Sequence, residues 1–140
     1  MILLDTNVIS EPLRASPDLN VLAWIDAQVI ETLYLSTICL AELRFGIAVL
    51  DDGKRIQMLH KSLEQQVLPL FDGRILTFDE PASQAYANIR AKARKSGLAI
   101  APADGYIAAI AHAHGFSVAT RDIYPFEAAG VSVINPWNYR

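Results

Sequence analysis

The segment Ile2-Leu3-Leu4-Asp5 decides the fold, because three apolar residues end there in a carboxylate. A short, continuous apolar run is typical of a strand that is buried on both faces of a parallel sheet. The sequence predicts four further short strands, at residues 33–35, 74–76, 117–119 and 131–133. No tight hairpin signal joins one to the next, so each connection must return to the sheet over a longer path.

The segments between these strands carry apolar residues at intervals of three and four, which is the spacing of amphipathic helices. We predict helices near residues 10–13, 17–29, 37–50, 54–68, 79–97 and 104–114, with Pro69 closing the fourth. Strands that alternate with helices form βαβ units. The sequence therefore predicts an α/β protein. It forms a single domain over residues 1–140, with a mostly parallel central sheet of about four to five strands flanked by helices.

The composition excludes several classes of protein. Hydrophobic residues make up 52% of the 140 residues and charged residues 19%, which excludes an intrinsically disordered chain. The longest apolar run, residues 106–111, is far shorter than the roughly 20 residues of a membrane span. A single cysteine, Cys39, excludes an internal disulfide and a Cys-rich zinc site. We therefore expect a protein of the reducing cytoplasm that has no contact with a membrane.

Four acidic residues are expected at the carboxyl ends of the strands, where open parallel sheets bind ligands. Asp5 follows the first strand directly, and Asp122 follows the fourth after two residues. Asp104 begins a buried helix. Glu42 lies on the helix after the second strand, among apolar neighbours where an unpaired carboxylate is costly.

Each of these acids also has a purely structural interpretation. Asp5 or Asp104 would serve as a helix N-cap, Asp122 as a turn former, and Glu42 as an ordinary solvent-facing residue. Taken together, however, four carboxylates at one end of a sheet repel one another without a counter-ion. Mg²⁺ or Mn²⁺ prefers oxygen ligands, and an ion held in this way activates water for phosphodiester hydrolysis.

The net charge of −3 alone argues against a protein that coats nucleic acid. Four metal-holding carboxylates would account for −4 and leave +1 for the rest of the chain. Arg121 lies beside a proposed ligand, so it is a candidate for contact with an RNA phosphate or, alternatively, a surface ion pair. A basic group at residues 90–95 either contacts RNA or is a solvated face favoured by a helix C-terminus.

Four segments of the chain resemble the acidic motifs of the PIN domain: Leu3-Leu4-Asp5-Thr6-Asn7, Ala41-Glu42-Leu43, Ala103-Asp104-Gly105-Tyr106-Ile107-Ala108-Ala109 and Ala119-Thr120-Arg121-Asp122. Each motif alone is weak, whereas their order, intervals and flanking residues together are specific. In length and spacing the whole chain is similar to the VapC toxins and, within them, to the FitB-like branch.

The resemblance implies a Mg²⁺- or Mn²⁺-dependent ribonuclease of a toxin–antitoxin system. By motif match, the residues that bind the metal and carry catalysis would be Asp5, Glu42, Asp104 and Asp122. The residues that match supporting positions are Thr6, Asn7 and Thr120. Family members pair with an antitoxin whose DNA-binding part is a ribbon-helix-helix or AbrB-like domain. The resemblance therefore implies an RNA substrate, a cognate antitoxin, a homodimer, and contact with operator DNA only through the antitoxin.

Other functions are weighed against this one. A haloacid-dehalogenase-like phosphatase needs a second Asp where Asn7 stands, and the glycine spacing supplies neither a dinucleotide-binding motif nor a P-loop. The remaining rival is a non-catalytic PIN-like module that dimerises and stabilises a DNA-binding repressor. Cleavage of DNA rather than RNA is a third alternative that the sequence leaves open.

Overall fold

The computed structural model describes residues 1–51 and 53–140. Within them, five strands form one sheet in the order β3-β2-β1-β4-β5, and every neighbouring pair is parallel. The strands are β1 (Ile2–Leu4), β2 (Leu33–Ser36), β3 (Ile75–Leu76), β4 (Ser117–Ala119) and β5 (Val133–Ile134). The predicted α/β fold with a parallel sheet is therefore confirmed.

Helices cover both faces of this sheet. The α-helices of the described residues are α1 (Thr6–Ser10), α2 (Leu19–Asp26), α3 (Thr37–Ala48), α4 (Lys54–Lys61), α5 (Glu80–Lys95), α6 (Pro102–His114) and α7 (Ile123–Ala128). One hydrophobic core forms under α5, α6 and α7, and a second forms under α1 to α4. None of the helices among the described residues is long and apolar enough to cross a membrane.

The central strand β1 contributes to both cores, since successive side chains of a strand point to opposite faces. Leu3 is fully buried in the core under α5 and α6, while its neighbour Leu4 is buried in the other core. The adjacent strand β4 repeats the pattern, with Val118 in the first core and Ala119 in the second. This burial on both faces explains why the apolar run at residues 2–4 is uninterrupted.

The boundaries of several elements differ from the prediction. The short helix expected near residues 10–13 begins at Thr6, directly after Asp5, and Glu11–Leu13 form only a 3₁₀ turn. The helix expected at residues 54–68 is α-helical only to Lys61 and continues as a wider π-helical segment, Ser62–Val67. Pro69 does not close this helix but lies in the first turn of a further 3₁₀ segment, Leu68–Phe71, because a first turn needs no amide donor there.

Helix α7 was not predicted at all. It follows Asp122 directly and buries Phe126 completely in the core that it shares with α5 and α6. The tail after β5 folds back onto the domain, where Asn20 Nδ2 on α2 donates to the Trp137 carbonyl oxygen at 3.0 Å. The side chain of Trp24 is 4% exposed, so this residue is part of the core rather than of a binding surface.

We expect Leu3→Ala to destabilise the protein by about 2–5 kcal/mol, because a fully buried leucine on the central strand leaves a cavity. Leu19→Ala removes the same atoms from a side chain that is 78% exposed, so it should cost less than about 0.5 kcal/mol. Urea unfolding followed by circular dichroism measures both. Equal losses in the two variants would contradict the placement of β1 at the centre of the fold.

Candidate active site

Asp5 ends the central strand and is held against the neighbouring strand. Its amide donates to the Ala119 carbonyl oxygen at 2.9 Å, which extends the pairing of β1 with β4 by one step. The side chain is buried, with 5% of the residue exposed. The strand order in the sheet places β1 between β2 and β4. Asp5 therefore lies at the point where the strand order reverses, which is the usual ligand position of an open α/β sheet.

The carboxylate of Asp5 has two hydrogen-bond donors. Its Oδ1 accepts from the Thr6 amide at 2.8 Å, and its Oδ2 accepts from Thr120 Oγ1 at 2.8 Å. Burial raises the pKa of Asp5 to about 6, against the lowering effect of these two hydrogen bonds, and the charges of Asp104 and Glu42 raise it further. Asp5 therefore caps α1, as the structural interpretation held, and is also a buried acid that other carboxylates surround.

Thr120 organises the polar side chains around Asp5. It is fully buried, and its oxygen accepts from the Asp122 amide at 3.0 Å and lies 3.5 Å from Asn7 Nδ2. Asn7 Oδ1 in turn accepts from the Arg121 amide at 3.2 Å. The structure thus brings the predicted supporting residues Asn7 and Thr120 together between the ends of β1 and β4.

Glu42 reaches the same place from α3. Ser36 caps this helix by accepting from the Cys39 amide, and the helix places Glu42 so that its Oε1 accepts from Thr6 Oγ1 at 2.9 Å. The structure leaves Glu42 exposed, as its solvent-facing interpretation expected, because Cys39, Leu40 and Leu43 face the core while Glu42 does not. Its apolar neighbours in sequence therefore do not bury it.

Asp104 is the third residue of α6 and is partly buried. It is not the N-cap, because that position belongs to Ala101. Burial raises the pKa of Asp104, and the charges of Asp122 and Glu42 raise it further. The helix therefore brings a carboxylate close enough to two others for their charges to interact.

Asp122 occupies the N-cap position of α7, where its exposed side chain forms no capping hydrogen bond with a described residue. Its backbone is fixed instead by Thr120. Beside it, the Arg121 guanidinium lies over the Trp137 ring at 5.3 Å from the centroid. The alternative of a surface ion pair for Arg121 is not observed among the described residues, and its contact with a phosphate stays a prediction.

The donor chemistry of this acid site fits a hard divalent cation. Over residues 1–51 and 53–140, none of the four carboxylates forms a salt bridge with a lysine or arginine. The negative charges of nearby carboxylates raise the pKa of Asp5 and of Asp104. No three acidic, histidine or cysteine side chains in that part of the chain form a preassembled metal cage. Mg²⁺ does not require one, because it keeps several waters and binds proteins through one or two carboxylates.

Two other groups near this end of the fold have different roles. Burial raises the pKa of the Cys39 thiol to about 12, so the thiol stays protonated at neutral pH and is neither a nucleophile nor a metal ligand. Glu11 is a buried carboxylate that the sequence analysis did not single out. Its Oε1 accepts from Arg14 Nη1 at 3.1 Å, and the spacing of Glu11 and Arg14 by three residues was the available signal.

Comparison with known proteins gives a consistent result. Residues 2–131 match the family described as the PIN domain. The chain is 62% identical to the VapC ribonuclease Y4jK of Sinorhizobium fredii (98% of each chain covered). It is 58% identical to Toxin FitB of Neisseria gonorrhoeae (99% of each covered). The fold matches the crystal structure of FitAcB from Neisseria gonorrhoeae with a TM-score of 0.96 and 58% identity over 99% of each chain.

We expect Thr120→Val to raise the pKa of Asp5 above its value of about 6, because the variant removes a hydrogen bond that favours the charged carboxylate. Titration of the side-chain carboxyl carbon by nuclear magnetic resonance in metal-free buffer measures this. Thr120→Ser keeps the hydroxyl and should leave the pKa near its wild-type value. An unchanged pKa in the valine variant would contradict the assigned hydrogen bond.

In metal-free buffer we expect Asp104→Asn and Glu42→Gln to melt at the same temperature as the wild type or higher, because each removes a charge from a group of like charges. Mg²⁺ should raise the midpoint of the wild type more than that of either variant, since an ion that binds only the folded state stabilises it. Glu31→Gln, on an exposed turn, serves as the matched control. A large drop in the midpoint of both variants in EDTA would contradict this.

Proposed function

The chain belongs to the PIN-domain family, in its VapC/FitB-like toxin branch, and we propose that it is a divalent-metal-dependent endoribonuclease held inactive by a cognate antitoxin. The observation that carries the proposal is the set of carboxylates at the carboxyl ends of β1 and β4. The charges of Asp104 and Glu42 raise the pKa of Asp5, and those of Asp122 and Glu42 raise the pKa of Asp104. None of these carboxylates has a cationic partner among the described residues. Such a set is costly to maintain unless a cation binds there.

The residues that would hold Mg²⁺ or Mn²⁺ are Asp5, Glu42, Asp104 and Asp122. When bound, the ion lowers the pKa of a coordinated water and stabilises charge on a phosphate oxygen. Thr120 and the Thr6 amide orient the Asp5 carboxylate through their two hydrogen bonds. Thr6 Oγ1 orients Glu42 in the same way. This arrangement supports hydrolysis of a phosphodiester by water rather than by a protein nucleophile.

The partners follow from the same family. Two similar structures are FitAcB from Neisseria gonorrhoeae and FitAB bound to the IR36 DNA fragment, so the FitAB complex binds DNA. We propose that this chain forms a homodimer and binds an antitoxin with a ribbon-helix-helix or AbrB-like domain. It would then contact operator DNA only through that antitoxin.

The alternative is a non-catalytic module that only stabilises a DNA-binding repressor. Exposed apolar side chains at the C-terminal end of α3, Phe45 and the capping residue Val49, are compatible with a partner in either case. The two proposals differ in what they explain about Asp5. This carboxylate is buried, its pKa is raised, and it accepts a hydrogen bond from Thr120. A module that only binds a partner gains nothing from a buried charge that other carboxylates oppose.

We expect the purified protein to cleave RNA when Mg²⁺ or Mn²⁺ is present and to stop when EDTA is added. Asp5→Asn, Glu42→Gln and Asp104→Asn should each lower the cleavage rate by about 100-fold or more, because even residues that only support a metal ligand are worth about 10–100-fold. Glu31→Gln should cleave at the wild-type rate. Gel analysis of single-stranded RNA fragments measures all five proteins.

The same assay with single-stranded DNA of matching sequence decides between the two nucleic acids. Faster cleavage of DNA than of RNA would make DNA the substrate in place of RNA. Wild type and Asp5→Asn proteins that behave alike, with or without metal, would end the nuclease proposal and favour the non-catalytic module.

A further inference from the structure

The C-terminal half of α5 carries four basic residues, and two of them line one groove. Arg90 and Arg94 are one helical turn apart, so they share a face of the helix, and we call this pair the α5 strip. With Tyr86 they line a groove of about 510 Å³ between α5 and the segment that leads into α6. The other lining residues of this groove are alanines and apolar side chains, so none of those identified in the described chain is acidic.

Arg90 is oriented before any ligand arrives. Its Nη1 donates to Tyr86 Oη at 2.6 Å, and its guanidinium lies 5.5 Å from the centroid of the same ring. Tyr86 is itself fixed, because it stacks on Tyr106 at 4.7 Å. One of the five N–H groups of the guanidinium is used in this contact, and the others are available to an acceptor.

The groove adjoins the acid site through Gly105, the residue after Asp104. A Cβ on Gly105 would come within 3.0 Å of Tyr86 Cε2 and 3.4 Å of Arg90 Cδ. Tyr86 and Arg90 therefore pack directly on the backbone of α6 next to Asp104, and only a residue without a side chain leaves room for them. A polymer bound at the acids and extending along α6 would therefore contact the α5 strip next.

The helix dipole does not explain all four basic residues in the C-terminal half of α5. It favours cations in the last turn, which accounts for Lys92, Arg94 and Lys95. Arg90 lies one turn earlier, where this effect is weak. Neither arginine of the α5 strip forms a salt bridge with a described residue, so no carboxylate of the described chain neutralises their charges.

We propose that the α5 strip binds the phosphates of the single-stranded RNA next to the bond that is cut, so that Arg90 and Arg94 determine how tightly the substrate is held. This inference rests on the proposed nuclease function. A polyanion is the occupant that the charges favour, because the groove offers arginines without acidic partners. A protein helix would find its apolar contacts elsewhere, at the exposed Phe45 of α3, Val49 directly after α3 and Met58 of α4.

The test compares the double variant Arg90→Gln/Arg94→Gln with the wild type. Binding of a short fluorescent single-stranded RNA is measured in EDTA over a range of salt concentrations, and gels confirm that the RNA stays intact. We expect at least about tenfold weaker binding at low salt, and a salt slope smaller by about 1.4, because each phosphate contact on a single strand contributes about 0.7. In the cleavage assay with Mg²⁺, KM should rise while kcat stays within about twofold.

Two further proteins keep the test decisive. Arg94→Gln alone removes a side chain that forms no hydrogen bond with a described residue, so it should fold normally and lower the slope by about 0.7. Lys54→Gln/Lys61→Gln on α4 changes the net charge by the same amount as the double variant and should leave both binding and KM unchanged. Melting curves of all variants check their folding.

The outcomes separate the α5 strip from the nuclease proposal. If the wild type cleaves RNA while both arginine variants bind and cleave as it does, the strip proposal is overturned and the nuclease function stands. If the wild type neither binds nor cleaves RNA, both proposals fail. If the variants lose affinity for a polyglutamate peptide but not for RNA, the groove belongs to an acidic protein partner and the strip proposal is again overturned.

Discussion

The hydrogen bond from Thr120 to Asp5 is the contact on which the rest of the site depends. It joins the carboxyl ends of two neighbouring strands and places a buried carboxylate between them. A charge in that position is costly, because burial raises the pKa of Asp5 to about 6. The same threonine fixes the Asp122 amide, so one hydroxyl positions two of the four acids.

The distribution of charge over the molecule matters more than its total. A net charge of −3 describes a protein that nucleic acid would avoid, yet the negative charge is concentrated at the end of the sheet. Arg90, which forms no salt bridge with a described residue, packs against Gly105 next to that end, and Arg94 lines the same groove. A metal ion would neutralise the acids, and the phosphates of one RNA strand would neutralise the arginines. Both charged groups would then take part in binding the same substrate.

The sequence was informative where residues act through local geometry. The apolar run at residues 2–4 identified the central strand, because burial on both faces leaves no position for a polar residue. The capping of α3 by Ser36 is equally local, because serine is a favoured N-cap residue. Helix α7 was missed because its six residues are too few to show a periodic pattern, and its burial depends on the packing of Phe126 against two distant helices. The register of the π-helical segment likewise depends on contacts that no short window of sequence contains.

The acids show a second limit of local reasoning, since the structural and functional interpretations of a residue are not exclusive. Asp5 caps α1 and is also a buried acid, so evidence for the first was never evidence against the second. The apolar neighbours of Glu42 in sequence suggested a costly position for its carboxylate, although Glu42 is exposed and accepts a hydrogen bond from Thr6. What makes these residues a site is the parallel sheet, which places the ends of β1 and β4 side by side. The identity of a single residue does not predict that arrangement, because it depends on the strand order of the whole sheet.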